Sequence, residues 1–245
     1  MKASIVIANY NNSNFIEECI NSLNTQTYKD IEIIFFDDNS QDNSIDIIKK
    51  FANVKIIKNK YQTKYGSLNQ MNAFKKSVQL STGEVIFFLD SDDFFKKEKI
   101  KKKINFFLKN KNKKIVFDFP IIIKKDKKLN IKKKKKFFNT YWDYIHPTSC
   151  ISIRKEFIDE VFYKTINNKF TDTWLDLRVL IYSKYLDEYN LIDENLTFYR
   201  QSEDNISSKF KKFRKLWWKR RNEAHDYYFN FMKENNLEVK KNLDF

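Results

Sequence analysis

Residues 85–93 read VIFFLDSDD, an unbroken apolar run that stops at three aspartates within four positions. A short apolar run without polar alternation is typical of a strand buried on both faces of a parallel sheet. Residues 31–38 repeat the arrangement, because IEIIFF leads directly into Asp37 and Asp38. The carboxyl ends of neighbouring parallel strands share one edge of a sheet, where such folds bind ligands. Gathered carboxylates repel one another, so we expect a cation or a donor-rich ligand at that edge.

Strand-like and helix-like segments alternate around those two runs. We expect strands at residues 4–8, 31–36, 54–57 and 85–89, and helices after residue 14, after residues 42–43 and over residues 67–80. This alternation predicts an α/β fold with a central, mostly parallel sheet and helices on both faces.

The basic charge lies downstream of these segments. Residues 96–136 hold 19 Lys and three acidic residues, whereas the rest of the chain sums to −1. Apolar positions 100, 104, 107 and 108 predict a helix over 96–110 with lysines on its other face. Residues 115–123 and 131–138 predict a hairpin with a lysine-rich rim. We interpret these lysines as solvated; the alternative is attraction to an anionic acceptor or to anionic lipid.

The remaining segments are a strand at 148–153, a helix at 174–186, a strand at 191–199 and a long helix at 209–235. The last helix carries Phe213, Trp217, Trp218 and Phe231 among basic residues, which allows packing or a membrane interface. Packing is the preferred interpretation. We therefore expect one domain over residues 1–207, with halves 1–95 and 96–207, followed by a C-terminal helical extension at 208–245.

Composition argues against several classes of protein. The chain has 245 residues and a net charge of +15, but only six of its 47 basic residues are Arg. With no helix-turn-helix, zinc-finger or RNP signature, nucleic acid is not an expected partner. Cys19 and Cys150 form no CxxC pair and favour a reducing compartment. The sequence shows neither a signal peptide nor a membrane span, so we expect a cytoplasmic protein, possibly peripheral on the inner face of a membrane.

Three stretches in this order, SIVIANYN (4–11), FFDDNSQDNS (35–44) and STGEVIFFLDSDD (81–93), resemble the amino-terminal half of glycosyltransferase family 2. FTDTWLDLRV (170–179) and YRQSEDNISS (199–208) resemble its acceptor-side elements. The resemblance covers residues 3–207 and implies a GT-A nucleotide-sugar-binding fold.

The implied activity is inverting, metal-dependent transfer of a sugar from a nucleotide-diphosphate donor to a hydroxyl of a saccharide or lipid-linked saccharide, in surface glycan or polysaccharide synthesis. A nucleotide-sugar or anionic-polymer binding module without catalysis is the alternative.

The DxD sequence of residues 90–92 has an implied metal role. Asp92 would bind Mn²⁺ or Mg²⁺ directly, and Asp90 would contact the ribose or the metal indirectly. Hard carboxylate oxygens suit these cations, and a cation there would neutralise the diphosphate. Two roles stay open for Asp93, support of the metal site and capping of the lysine-rich helix.

The resemblance also implies donor contacts. They come from Ala8, Asn9, Tyr10, Asp37, Asp38, Gly66, Asn72, Ser91 and Arg200. Of the two adjacent aspartates, Asp38 is the preferred base contact, and a turn role is open to either. Relatives often carry an Arg at the position of Met71, and Lys64 could replace its charge. Arg200 would contact phosphate or pair with Glu203 or Asp204.

The expected catalytic base is Asp172, six positions before Arg178. An inverting transfer needs one carboxylate opposite the leaving group to deprotonate the acceptor. Asp172 is also a good helix N-cap, which is the structural alternative. Asp176 is the second candidate, either paired with Arg178 or facing the acceptor. We interpret His146 as structural.

Overall fold

A computed structural model describes residues 1–124, 127–130, 144–187, 189–201 and 209–239. Its strands are β1 (Ala3–Asn9), β2 (Ile31–Asp37), β3 (Val54–Lys58), β4 (Val85–Asp90), β5 (Phe94–Phe95), β6 (Ile115–Lys124), β7 (Lys127–Asn130), β8 (Ile151–Arg154) and β9 (Leu191–Arg200). Its helices are α1 (Ser13–Asn24), α2 (Ser44–Ile48), α3 (Gly66–Gln79), α4 (Lys99–Lys109), α5 (Ile158–Thr165), α6 (Leu175–Leu186) and α7 (Lys215–Glu234). The predicted α/β class and the C-terminal helix are confirmed.

The amino-terminal half forms the parallel part of one mixed sheet. The order in the described residues is β3-β2-β1-β4-β8-β6-β9-β5, with β7 paired to β6. Strands β3, β2, β1 and β4 are parallel, and the register pairs Asn9 with Asp37 and Ala8 with Asp90. The carboxyl ends of β1, β2 and β4 are therefore level, which brings the two acidic stretches to one edge.

Helices bury an apolar core on each face of the sheet. Residues of α1, α2 and α4 form one cluster, and residues of α3, α5, α6 and α7 form the other. In α7, Tyr227, Tyr228 and Phe231 are almost fully buried, so this helix packs on the face that also holds α3. None of the helices in the described ranges is long and apolar enough to cross a membrane.

The basic hairpin exists, but its register differs from the prediction. Strand β6 ends at Lys124 and the returning strand β7 begins at Lys127, inside the segment expected to be the connection. The lysine-rich run of residues 124–128 contains neither Gly nor Pro and so gave no signal for the tighter turn. The predicted strand at 131–138, with the rim lysines 132–136, lies outside the described residues.

Two lysines of α4 correct the prediction of a solvated helix face. Lys99 and Lys103 are 0% exposed, and their Nζ atoms lie 3.1 and 2.7 Å from Oδ1 of the equally buried Asp118. They also donate to backbone carbonyls, Lys99 to that of Ser149 and Lys103 to that of Cys150. Burial lowers the pKa of Lys103 to about 8, although Asp118 opposes this. Part of the basic excess is thus an internal cluster, which we call the lysine cluster (Lys99, Lys103, Asp118).

The turn between α3 and β4 is packed against β1. A Cβ added at Gly83 would lie 2.5 Å from Ser4 Oγ, so only glycine fits. Glu32 of β2 closes this turn, since its Oε1 accepts from the Gly83 amide at 2.9 Å and from Ser4 Oγ at 2.5 Å. The turn fixes where β4 enters the sheet, and hence where its aspartates leave it.

Candidate active site

A cavity of about 710 Å³ lies at the carboxyl ends of β1, β2 and β4. Its walls come from both halves of the chain and from α7. We call Asp38, Asp90 and Asp92 the acidic side, and Lys209, Arg220 and Arg221 the cationic side. Other lining residues include Ala8, Asn9, Tyr10, Asn12, Gln62, Thr63, Lys64, Gly66, Ser67, Asn69, Gln70, Tyr144, Thr148, Trp174, Asp176, Tyr199, Phe210 and Trp217.

Asp90 and Asp92 stand at the end of β4. Asp92 is 8% exposed, and Asp90 accepts a hydrogen bond from Gln70 Nε2 at 2.6 Å. Burial raises the pKa of Asp90, and the nearby charge of Asp92 raises it further. Within the described ranges, no lysine or arginine lies within 4 Å of the Asp90 carboxylate. A bound cation would offset the repulsion between these two carboxylates and so favour the charged form of Asp90.

This donor set fits a cation that takes further ligands from its substrate. No group of three or more His, Cys, Asp or Glu side chains in the described residues is arranged to hold a metal. Mg²⁺ is commonly bound by only one or two carboxylates together with phosphate oxygens and water. Asp90 and Asp92 are the residues that would hold such an ion.

Asp93 lies outside the cavity and stabilises the loop of residues 90–93 that follows β4. It is 1% exposed, and its carboxylate accepts from Ser149 Oγ at 2.6 Å and from the Arg200 amide at 2.8 Å. Burial, with the charges of Asp92 and Asp90, raises its pKa. Helix α4 begins at Lys99 with Glu98 before it, so Asp93 is not its cap. Ser91 is fully buried, hydrogen-bonded to Asn12, and does not line the cavity.

The two adjacent aspartates after β2 differ in position. Asp38 lines the cavity and accepts from Asn59 Nδ2 at 2.7 Å and Gln62 Nε2 at 3.0 Å. Burial raises its pKa, against the lowering effect of those bonds. Asp37 lies outside the lining and accepts from Asn9 Nδ2 and from the Ser40 amide. The turn role belongs to Asp37, and Asp38 faces the ligand space.

Helix α3 presents different residues from those expected. Gly66 and Lys64 line the cavity, but Asn72 is exposed elsewhere and Met71 is buried in the core. Gln70, rather than Asn72, is the polar residue of α3 that lines the cavity and donates a hydrogen bond to Asp90. The sequence carries a signal for it, because residues 66 and 70 lie one turn apart on the same helix face.

The expected base lies beside the cavity rather than in its wall. Asp172 does not line it, and its Oδ2 lies 3.9 Å from Lys219 Nζ. Helix α6 begins at Leu175 with Trp174 at the N-cap, so Asp172 does not cap it. Asp176, in the first turn, does line the cavity, and burial raises its pKa to about 7. The expected pairing of Asp176 with Arg178 is absent, because the buried Arg178 guanidinium donates to carbonyls, including those of Thr173 and Thr165.

Arg200 contacts the loop of residues 90–93 from outside the cavity. Its Nε donates to the Asp92 carbonyl at 3.0 Å, and its guanidinium pairs with Glu18 at 2.5 Å. The guanidinium also lies over the Phe15 ring. It is not among the lining residues, so its predicted phosphate contact stays a prediction. Its other expected partners, residues 203 and 204, lie outside the described residues.

The cationic side was missed by the sequence reasoning. Lys209, Arg220 and Arg221, with Phe210 and Trp217, bring the start of the C-terminal segment into the cavity wall. The interleaving of aromatic and basic residues over 209–221 was a signal, but it was interpreted as packing, with a membrane interface as the alternative, and neither interpretation places these residues in a cavity wall. Phe231 packs as expected, whereas Phe213 is 55% exposed.

Helix α7 also holds the loop that carries the expected base. Glu223 Oε1 accepts from the backbone amides of Asp172 and Thr173 at 2.7 and 2.9 Å, and from Thr173 Oγ1 at 3.0 Å. Arg220 Nε donates to the Asp172 carbonyl at 2.8 Å. The peptide groups of this loop are therefore fixed from the C-terminal helix.

His146 has a structural environment. It is 1% exposed, and its ring nitrogens contact the Asp118 carbonyl and the Tyr189 hydroxyl. Burial lowers its pKa to about 4, so the ring is neutral at pH 7. It does not line the cavity.

Sequence comparison places these features in a known family. The profile described as "Glycosyl transferase family 2" matches residues 4–175. A glycosyltransferase of Nostoc sp., itself uncharacterised, is 31% identical over 82% of this chain and 65% of its own length. The Escherichia coli UDP-Glc:α-D-GlcNAc-diphosphoundecaprenol β-1,3-glucosyltransferase WfaP is 40% identical over 42% of this chain and 40% of its own. The chain thus spans less than two thirds of the length of these relatives.

Solved structures show the same fold. Staphylococcus aureus TarS residues 1–349 in complex with UDP superposes with a TM-score of 0.66 at 16% identity, covering 100% of this chain and 75% of that one. The mannosyltransferase PcManGT of Pyrobaculum calidifontis, in complex with GDP-Man and Mn²⁺, gives 0.62 at 13% identity, covering 97% and 65%. The chain belongs to glycosyl transferase family 2 and has the GT-A fold.

Proposed function

We propose that the protein transfers a sugar, with inversion, from a nucleotide-diphosphate donor to a hydroxyl of a saccharide or lipid-linked saccharide in polysaccharide synthesis. The observation that carries the proposal is the gathering of Asp38, Asp90, Asp92 and Asp176 on one 710 Å³ cavity at the carboxyl edge of the parallel strands. The complexes of TarS with UDP and of PcManGT with GDP-Man support a nucleotide donor. The WfaP name supports a lipid-linked acceptor.

The residues divide the work between binding and proton transfer. Asp38 would accept a hydrogen bond from the nucleoside, with Asn9 and Tyr10 beside it. Asp90 and Asp92 would hold Mn²⁺ or Mg²⁺, as the Mn²⁺ complex of PcManGT supports. When bound, the ion would neutralise charge that develops on the diphosphate.

One carboxylate would take the proton of the acceptor hydroxyl, and two are candidates. Asp172 has the position that the family resemblance assigns to the base. Asp176 has the place in the cavity wall and a pKa near neutrality, which suits a general base. We propose that Asp176 shares or performs this step, and that Asp172 supports the loop beside it.

A membrane-side contact is a second part of the proposal. Phe213, Leu216 and Trp218 are about half exposed at the start of α7, among Lys211, Lys212, Arg214, Lys215 and Lys219. Aromatic side chains among lysines suit an anionic lipid surface. Co-sedimentation with anionic but not neutral liposomes, lost in Trp218→Ser with Lys215→Glu, supports this contact; unchanged sedimentation of that variant contradicts it.

The experiment that tests the function is nucleotide release from a panel of UDP-, GDP-, CDP- and dTDP-sugars with Mn²⁺ or Mg²⁺. We expect slow hydrolysis of one donor without acceptor, and its loss with EDTA. Donor binding without release or transfer to any saccharide acceptor would instead support a binding module that has lost catalysis.

A further inference from the structure

Arg220 is a cation enclosed in the wall of the cavity. It is 8% exposed, and its guanidinium carbon lies 4.2 Å from the ring centroids of both Trp174 and Phe210. Aromatic rings packed against the two faces of a guanidinium fix its plane. Its N–H groups point outward in that plane and remain available for hydrogen bonds.

Those N–H groups have few acceptors among the residues that the structure describes. Nε donates to the Asp172 carbonyl at 2.8 Å, and one terminal nitrogen lies 3.5 Å from Ser67 Oγ. No carboxylate of the described ranges lies within 4 Å. The acidic groups that face Arg220, namely Asp176, Asp172 and Glu223, act on it only from further away.

Arg178 shows how a buried arginine with a structural role is satisfied by hydrogen bonds in this fold. It is 0% exposed, and all three of its nitrogens donate to backbone carbonyls, those of Thr173, Thr165, Asn167 and Phe170. A buried charge without such partners is costly. Arg220 therefore keeps binding capacity that Arg178 has used within the protein.

The residues around Arg220 indicate the charge and chemical class of a ligand that would bind its guanidinium. Lys209 and Arg221 line the same cavity, so the cationic side favours an anion. A guanidinium edge binds phosphate through two parallel hydrogen bonds. The family profile ends at residue 175, before any of these residues.

We propose that Arg220 is the receptor for a phosphate group bound in this cavity. The inference rests on the proposed function, which offers two sources of phosphate, the donor diphosphate and a phosphate carried by the acceptor. In either case the phosphate supplies strong acceptors to the terminal nitrogens of Arg220, for which the protein provides the 3.5 Å contact with Ser67 Oγ, and the two aromatic rings hold the guanidinium in place.

The test compares Arg220→Gln and Arg220→Lys with Arg214→Gln, an exposed arginine near the start of the same helix. Calorimetry measures binding of UDP, GDP, CDP and dTDP with Mn²⁺, and then of inorganic phosphate to the protein saturated with the best of them. Thermal melting without ligand checks the fold, and Arg220→Lys replaces Arg220→Gln if the latter does not fold. We expect a loss of about 10- to 100-fold in affinity for one probe, with Arg214→Gln unchanged.

Each outcome has a defined meaning. Weaker diphosphate binding supports the proposal with the donor as the source. Unchanged diphosphate binding with loss of the added inorganic phosphate supports it with the acceptor as the source. Unchanged binding of both by folded variants overturns it and leaves the proposed function standing. A wild-type protein that binds none of the nucleotides contradicts the proposed function itself.

Discussion

The acidic side and the cationic side of the cavity are built in different ways. The carboxylates of the acidic side follow directly from β2 and β4, and the parallel register of the sheet brings them together. The cationic side comes from residues 209–221, which reach the cavity because α7 packs its aromatic residues into the core on the face of the sheet that holds α3, α5 and α6. One side depends on strand topology and the other on the docking of a helix. Substitutions on the two sides should therefore have different consequences.

The largest effect is expected for the acidic side. Asp92→Ala removes a ligand of the proposed cation, and the lost stabilisation of the leaving group should lower kcat by about 10³-fold. The apo fold should melt unchanged or higher, because a buried carboxylate beside Asp90 and Asp93 is removed. Steady-state nucleotide release measures the effect, with the exposed Asp46→Ala as control. If turnover in Asp92→Ala is close to wild type and still sensitive to EDTA, the cation is bound by residues other than Asp92.

The second prediction separates Asp176 from Asp172. If Asp176 accepts the proton, Asp176→Asn should lower kcat by about 10²- to 10⁴-fold, and Asp172→Asn should cost less. The base acts deprotonated, and burial raises the pKa of Asp176 to about 7. The wild-type kcat/KM should thus increase as the pH rises through about 7 and level off above it. A larger loss in Asp172→Asn than in Asp176→Asn returns the role to Asp172.

A smaller effect is expected for the contact by which α7, the helix of the cationic side, holds the loop at residues 172–173. Glu223→Ala removes the acceptor for three hydrogen bonds from the loop at residues 172–173. Displacement of this loop should lower kcat by about 10- to 100-fold with little change in donor KM. Glu223→Gln keeps an acceptor oxygen and should recover much of the loss, while Glu234→Ala at the end of α7 serves as control. Equal activity of all three variants would show that the hydrogen bonds of Glu223 are not needed to position the loop.

The smallest effect concerns the stability of the sheet whose far edge carries the acidic side. Burial raises the pKa of Glu32, but hydrogen bonds from Ser4, Thr82 and Gly83 outweigh it and lower the pKa to about 2. A lowered pKa stabilises the fold above the unfolded value near 4.5, and this stabilisation is lost as the pH falls towards 2. Glu32→Gln should cost about 1–2 kcal/mol at pH 7, after allowance for partial exposure, and should flatten that pH dependence. Urea unfolding at pH 7 and pH 3, with Glu17→Gln as control, measures both; an equal pH slope in the variant contradicts the assignment.

Much of the acidic side could be predicted because local rules place it. Apolar runs gave β1, β2 and β4, and parallel topology then put Asp38, Asp90 and Asp92 at one edge. Lys99 and Lys103 could not be predicted as buried, because their spacing on α4 looks like a solvated face until Asp118 of β6 is placed opposite. Arg220 was equally hidden, since only the packing of α7 shows that its guanidinium enters the cavity. Helix faces depend on tertiary partners that no short window contains.

Ser149 links the loop of residues 90–93 to the lysine cluster, and this link bears on the order in which the chain folds. Its hydroxyl donates to Asp93 and accepts from the Asp90 amide, while its carbonyl accepts from Lys99. Contacts between segments so distant in sequence close large loops and form slowly. A chain emerging from the ribosome has β1 to β4 long before it has Ser149. The bonds of Ser149 to Asp93 and to the Asp90 amide can thus form only after residue 149 has been made, so this part of the acidic edge is completed later than the parallel strands that carry it.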